Sequence, residues 1–317
     1  MKAVVIDEFG GKEKMRVDEM PAPKPGKGEV QIESAYAGVN PADWKIREGI
    51  LDKLVKTEFP AILGWDVSGW VSEVGEGVDD FKEGDEVYSY CRKEVVQWGA
   101  FAEYVCVSAE HVAKLPKNLS FPEAAGIPLV GLTAWQALFD VAKLSKGQSI
   151  LIQGGAGGVG SLAIQLAKWA GARVYTTASL RNHQYASELG ADKAFDYHEM
   201  DIGKLQEEVE PKGFDVVFDC VGGKVFDQCI TMVKRGGWLI TICKPFIEDA
   251  IGQKHGIRTS FVFVRPNGGQ LAEISKLFDT GHLRAPHITE YPLEDAAEAL
   301  EKNREGHTRG KIVLKIK

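Results

Sequence analysis

Cysteine is scarce and unpatterned in this chain. Cys91, Cys106, Cys220, Cys229 and Cys243 are the five among 317 residues, an odd number with no Cys-x-x-Cys spacing. That argues against a disulfide framework or a thiolate zinc knot. Buried free thiols in a reducing compartment are the ordinary reading, and the expected location is cytoplasmic. Clustered positive charge is also lacking: the net charge is −7 and no basic patch is visible, so no nucleic-acid partner is expected. No apolar run has the length of a membrane span. The longest uncharged stretch, 147–167, holds six glycines and three glutamines, and the uncharged 124–139 is broken by Pro128, so no membrane partner is expected. A strand-like run, Ala3-Val4-Val5-Ile6, follows Met1-Lys2 directly, so no signal peptide is expected.

What the chain does have is glycine in a demanding place. Leu151-Ile152-Gln153-Gly154-Gly155-Ala156-Gly157-Gly158-Val159-Gly160 runs from an apolar strand-like segment into a helix-like one. Gly155, Gly157 and Gly160 fit G-x-G-x-x-G at a strand-to-helix turn, where glycine permits a tight bend, close approach of backbone to a pyrophosphate and close helix–strand packing. The N–H groups of Gly157, Gly158 and Val159 then face the phosphates of a dinucleotide. A Gly-rich turn without a ligand is the competing reading. A second strand, 173–178, should end in an Asp or Glu that grips the adenosine ribose. It ends Thr176-Thr177-Ala178-Ser179-Leu180-Arg181, with no acid. Ser179 and Arg181 suit a 2′-phosphate, which points to NADPH; Arg181 also reads as an ordinary solvated charge.

The length predicts two domains. The first third alternates short strand candidates (2–6, 30–39, 67–74, 86–90, 101–107) with Gly and Pro clusters, the pattern of a β-rich domain. After about residue 121 a helix is expected over 129–142, then βαβα alternation. Its strands are 149–153, 173–178, 193–196, 214–218, 238–242 and 257–264, and its helices 161–170, 182–189, 203–209 and 224–233. Near-continuous apolar strands such as Asp215-Val216-Val217-Phe218 indicate a doubly wound parallel sheet with its ligand at the strands' carboxyl ends. Helices over 270–280 and 293–304 precede a last strand, 311–316, which needs a sheet and is expected to return to the β-rich domain. The fold class is α/β: a β-rich domain of 1–123 with 266–317, and a doubly wound domain of 124–265.

Several segments together resemble a known family. Gly38-Val39-Asn40-Pro41-Ala42-Asp43-Trp44-Lys45, Leu63-Gly64-Trp65-Asp66-Val67-Ser68-Gly69 and Gly84-Asp85-Glu86-Val87-Tyr88 lead the series. Gly131-Leu132-Thr133-Ala134, the glycine turn, Leu189-Gly190-Ala191-Asp192, Asp219-Cys220-Val221-Gly222-Gly223 and Gly310-Lys311-Ile312-Val313-Leu314 complete it. They span the chain in the order found in zinc-independent medium-chain dehydrogenase/reductases of the quinone oxidoreductase and enone (alkenal/one) reductase type. The resemblance implies a GroES-like catalytic domain around an inserted Rossmann domain, with NADPH and a quinone or enone as ligands. Relatives that oxidise alcohols carry a Cys where this chain has Asn40, and Gly-His-Glu where it has Gly64-Trp65-Asp66. The seven histidines form no spaced ligand set either, so no metal is expected.

The resemblance also implies roles residue by residue. Asn40 orders substrate or the nicotinamide ribose, or caps a turn with Pro41. Lys45 donates to a developing enolate oxygen, or is a solvated surface lysine. Asp43 orients Lys45, or makes an Asx turn. Trp65 and Tyr88 wall the substrate slot, or are plain core. Thr133, Val221, Gly222, Val262, Val264 and Lys311 join the glycine turn as cofactor contacts, and Ser179, Arg181 and Tyr197 surround the 2′-phosphate. A homodimer through the edge of the Rossmann sheet at Phe261-Val262-Phe263-Val264 is implied as well. An enoyl-thioester reductase and a catalytically weak NADPH-binding protein are the alternative functions. Residues 49–60 lack the tyrosine some enoyl-thioester reductases use there.

Overall fold

The computed structural model describes residues 1–199 and 202–317, without the side chains of 202–205. The chain divides into two compact units: 1–132 with 266–281 and 285–317, and 133–265 with 282–284. The division after Leu132 lies later than the boundary expected at 123/124.

The first unit is built on the long strand Glu29–Val39, which is buried along most of its length. One of its sides pairs antiparallel with Asp66–Val74. On the other side the first half, 29–33, pairs with Tyr104–Ser108, and the second half, 36–39, pairs with the C-terminal strand Lys311–Lys315. The expected return of the last strand to the β-rich domain is therefore observed. Glu86–Tyr90, Val112–Lys114 and Ile288–Pro292 complete a seven-stranded sheet. A second sheet orders Arg16–Glu19, Lys2–Ile6, Lys56–Ile62 and Val95–Trp98.

The strand Lys56–Ile62 was not expected, and it carries Pro60, a residue that sits poorly in a strand interior. It is accommodated where the pairing with Val95–Trp98 is interrupted, between Thr57 and Ile62. There the missing N–H breaks no ladder bond to that neighbour. The expected strand 101–107 begins only at Tyr104, since Phe101 and Ala102 instead contact the first strand.

The second unit is a six-stranded sheet, parallel throughout, ordered Lys193–Phe195, Arg173–Thr177, Ser149–Ile152, Phe214–Asp219, Val233–Thr241, Arg258–Phe261. The order reverses direction between Ser149–Ile152 and Phe214–Asp219, the place where doubly wound sheets open a crevice. Leu151, Phe195, Phe214, Val217, Phe226, Cys229, Met232 and Leu239 pack as one buried cluster. Each such side chain removed from water stabilises the fold by roughly 1.5–3 kcal/mol. The helix Gly158–Trp169 buries Leu162, Ala163, Ile164, Leu166 and Ala167.

The expected helix over 129–142 is two segments, α-helical Pro128–Trp135 and π-helical Gln136–Val141. Widening is visible at its end, where the Ala142 N–H reaches Ala137 O at 3.0 Å. The expected edge 257–264 is a strand only over Arg258–Phe261, with Val262 adding one more bond to Thr241 O.

Candidate active site

The glycine turn of the second unit follows the carboxyl end of Ser149–Ile152. Gly154 has φ +73°, open to glycine at no steric cost. Its N–H donates to Thr177 Oγ1 at 3.2 Å, and the Gly155 N–H donates to Thr177 O at 3.0 Å. The turn is thus fastened to the end of the next strand. A Cβ on Gly155 would stand 2.0 Å from Thr176 Oγ1, and one on Gly160 would stand 2.3 Å from Gly154 O. The helix starts at Gly158 with Gly157 as its N-cap, with no side-chain cap and no acid in its first turn. The amides of Gly158, Val159 and Gly160 therefore open on a position that suits an anion.

Around this turn the predicted contacts fall at strand ends. Ser179 begins a single helical turn, Leu180–Asn182, and its Oγ accepts from Asn182 Nδ2 at 3.1 Å. Arg181 and Tyr197 are exposed. Asp219 is buried at the end of its strand. Its Oδ1 accepts the N–H groups of Val221 (3.0 Å) and Gly222 (2.8 Å), and its Oδ2 accepts Thr241 Oγ1 at 2.8 Å. This carboxylate moulds the turn carrying Val221 and Gly222, and the sequence reading missed its part in the site. Asp196 was missed too. It ends the third strand and accepts the N–H groups of Leu180 (3.1 Å) and His198 (3.0 Å), which hold its carboxyl below the usual range. Thr133, Val262 and Val264 are buried.

The first unit contains a second polar constellation. Asn40, Asp43 and Asp66 are each 0% exposed and Lys311 is 4% exposed. Lys311 Nζ donates to Val39 O at 2.7 Å and to Asn40 Oδ1 at 2.6 Å, and lies 3.8 Å from Asp66 Oδ2. Asn40 Nδ2 donates to the same Asp66 oxygen at 2.8 Å, while Asp66 Oδ1 accepts the Leu129 N–H at 2.8 Å. Asp43, in the first turn of the helix Pro41–Arg47, accepts the Asn40 N–H at 2.7 Å. Its other oxygen makes no hydrogen bond of ordinary geometry, and the Gly64 amide compensates only in part. Burial pushes Asp43 up to about 7 and Asp66 up to about 6, against the pull of Lys311. Burial also pushes Lys311 down, opposed by both carboxylates.

These facts correct several expectations. Asn40 starts a helix, and its amide is fully buried and bonded to Lys311 and Asp66 inside the unit. Lys311 is likewise an interior residue whose ammonium is spent on Val39, Asn40 and Asp66. Asp43 does not orient Lys45: its carboxylate holds the helix start, and Lys45 Nζ lies 5.4 Å from the centre of the Trp44 ring. Tyr88 walls no slot, being 0% exposed, with its hydroxyl donating to Leu271 O at 2.8 Å and meeting Ser275 Oγ at 2.9 Å. Trp65 is buried edge-on to Tyr90, with ring centres 6.0 Å apart. A cavity of about 270 Å³ in this unit lies among Glu29, Cys91, Lys93, Ser108 and His111 and is lined by none of the predicted residues.

A parallel sheet with a glycine cradle at its switch point, carried in a chain whose last strand closes a β-rich unit, is the architecture of a two-unit dinucleotide oxidoreductase. Comparison with known proteins agrees. Residues 26–117 match the alcohol dehydrogenase GroES-like domain, and residues 189–314 match a domain described as zinc-binding dehydrogenase. The NADPH-dependent alkenal/one oxidoreductase of Arabidopsis thaliana chloroplasts is 35% identical, over 99% of this chain and 79% of its own. The quinone oxidoreductase of Coxiella burnetii superposes with a TM-score of 0.88 at 34% identity, over 100% and 99% of the two chains. The Escherichia coli quinone oxidoreductase complexed with NADPH superposes with a TM-score of 0.88 at 26% identity, over the full length of both. The chain belongs to the medium-chain dehydrogenase/reductase family, in its quinone oxidoreductase and enone reductase branch.

One matched description names zinc, an ion that takes Cys, His or carboxylate donors in near-tetrahedral geometry. Among the described residues no three His, Cys, Asp or Glu side chains converge. Cys91 is buried with its thiol donating to Trp65 O at 3.2 Å, and burial raises its pKa, which disfavours the thiolate a metal needs. The buried carboxylate of Asp66 already faces the Lys311 ammonium. Among the described residues no donor set fits a zinc ion. Among the described residues no helix is long and apolar enough to cross a membrane.

Proposed function

We propose that this protein is an NADPH-dependent reductase that delivers hydride to a quinone or to the β-carbon of an α,β-unsaturated carbonyl, with no metal in the reaction. The observation that carries the reading is the glycine cradle at the switch point, where a side chain on Gly155 or Gly160 would strike its neighbours. The Gly157 N–H, expected among the phosphate contacts, is instead turned inward to Gly154 O at 3.0 Å. The open amides at Gly158, Val159 and Gly160 would hold the pyrophosphate, Val221 and Gly222 the ribose, Thr133 the nicotinamide side, and the backbone at Val262 and Val264 the carboxamide. Bound there, the nicotinamide supplies the hydride. Reduction of a conjugated carbonyl builds negative charge on oxygen, which needs a donor, and the half-buried Lys45 ammonium is the candidate. The α-carbon then takes a proton from water.

The preference for NADPH is supported by the absence of an acid after Arg173–Thr177 and by exposed Arg181 beside Ser179. Asp196 does not supply the missing acid, because two backbone amides already hold its carboxylate. A second copy of the chain is the proposed partner, across the outer edge of the parallel sheet, where among the described residues Arg258–Phe261 has a strand on one side only.

The test is cofactor oxidation, with NADPH and NADH in parallel, against a benzoquinone, a short enone, a 2-alkenal, an enoyl thioester and a ketone. The expected outcome is turnover with quinone or enone and a spared ketone. Reduction of the ketone carbonyl would defeat the reading, and NADPH binding with no acceptor turned over would make the chain a binding protein. Arg181→Ala should raise the KM for NADPH roughly tenfold to a hundredfold and leave that for NADH alone, the effect of one lost charge-assisted phosphate contact.

A further inference from the structure

The helix Pro41–Arg47 has seven residues, too few to persist in water on its own. Buried charge holds it at both ends. At its start, Lys311 bridges Val39 O and Asn40 Oδ1, with Asp66 as the opposing charge. At its end, the fully buried Arg47 guanidinium donates to Glu301 Oε1 at 2.7 Å and to Glu48 Oε1 at 3.0 Å. Glu48 is held in turn by Arg304 at 2.5 Å. Both clamps reach the C-terminal segment: Glu301 and Arg304 belong to the helix Ala296–Arg304, and Lys311 to the last strand. Between them the helix buries Asp43, Ile46 and Arg47 and leaves Trp44 and Lys45 partly exposed.

Apolar packing alone would hold so short a helix with less directional constraint. Ammonium and guanidinium groups require partners at fixed distances and angles, and burying them costs desolvation that a purely structural contact avoids. We propose that Lys311 and Arg47 are positioning residues, acting through this helix to fix where the Lys45 ammonium stands. The inference rests on the reading of Lys45 as the donor to the developing enolate oxygen. Lys311 then touches no ligand, in accord with its place in the interior.

A double-mutant cycle on the full chain, with NADPH and a short enone, tests it. Lys45→Met should lower kcat about a hundredfold, the scale of losing one oxyanion donor, and leave the KM for NADPH unchanged. Lys311→Met should lower kcat about tenfold. The double variant should be no slower than Lys45→Met alone, because a misplaced helix has nothing left to misplace. Losses that multiply to about a thousandfold would overturn the inference and leave the donor reading standing. An unchanged kcat in Lys45→Met would overturn the donor reading itself. If Lys311→Met does not fold, Lys311→Met/Asp66→Asn removes both charges and replaces it in the cycle. Arg47→Lys gives a second arm: its kcat loss should vanish in the Lys45→Met background, and persistence there counts against the inference.

Discussion

The two candidate sites are made of different material. In the second unit the cradle is backbone: four glycines within the six residues 155–160 bend the chain, and its main fastening is to Thr177 on the adjacent strand. In the first unit the constellation is side chain, drawn from residues 40, 43, 66 and 311 and buried with its own counter-charges. A site of amides offers partial charges that water can reach and a ligand can claim. A site of buried ions has already claimed itself, and what it provides is position. The contrast explains why residues quoted side by side in one family pattern, Gly157 and Lys311, have opposite relations to solvent.

The contrast can be broken most sharply at Gly160. A valine there must displace the Gly154 carbonyl, which a Cβ would approach to 2.3 Å. Overpacking of that kind costs about 1–3 kcal/mol, and the expected result is loss of NADPH binding in a fluorescence titration. The buried-ion site should respond in the opposite way, in stability first. Lys311→Met strands the Asp66 carboxylate and should cost about 3–5 kcal/mol in urea denaturation, while Lys311→Met/Asp66→Asn should recover much of that loss.

A subtler probe is pH. The folded state holds Asp43 up to about 7 and Asp66 up to about 6, by burial, whereas both titrate near 3.9 when unfolded. Between those limits the folded chain binds more protons than the unfolded one, so this contribution to stability is complete below about pH 4 and is lost as the pH rises toward 7. Asp43→Asn should flatten that part of the stability profile. The smallest effect should come from an exposed pair such as Lys276 and Glu273, 2.6 Å apart. Lys276→Ala should leave both stability and turnover unchanged within error.

How much of this was legible in the sequence follows from the same division. The glycine turn could be read because its spacing is local and its steric demand belongs to the backbone. The alternating strands of the parallel sheet and the return of the last strand could be read from apolar runs. Asp219 and Asp196 could not be assigned, since a carboxylate that shapes a neighbouring turn carries no spacing signal. The interior fate of Asn40 and Lys311 was hidden because their partnership spans 271 positions. The family pattern placed both in the right company and suggested ligand contacts, where the structure gives them buried partners of their own. Tyr88 was misread because an aromatic beside a motif looks the same whether it faces a slot or packs beneath a helix. The strand at 56–62 was not read at all, and the tolerance of Pro60 within it depends on an interruption in pairing that only the neighbouring strand reveals.

The closing of the first sheet by Lys311–Lys315 has a consequence for how the molecule is made. On a ribosome the strand Glu29–Val39 emerges before the parallel unit, yet half of one side stays without its partner until Lys311–Lys315 has followed that unit. The parallel unit, whose strands lie between residues 149 and 261, can complete its sheet before then. The sheet begun first is thus completed after the parallel one, and during that interval its uncovered β edge, beside an Asn40 and Asp66 still lacking Lys311, is open to wrong partners.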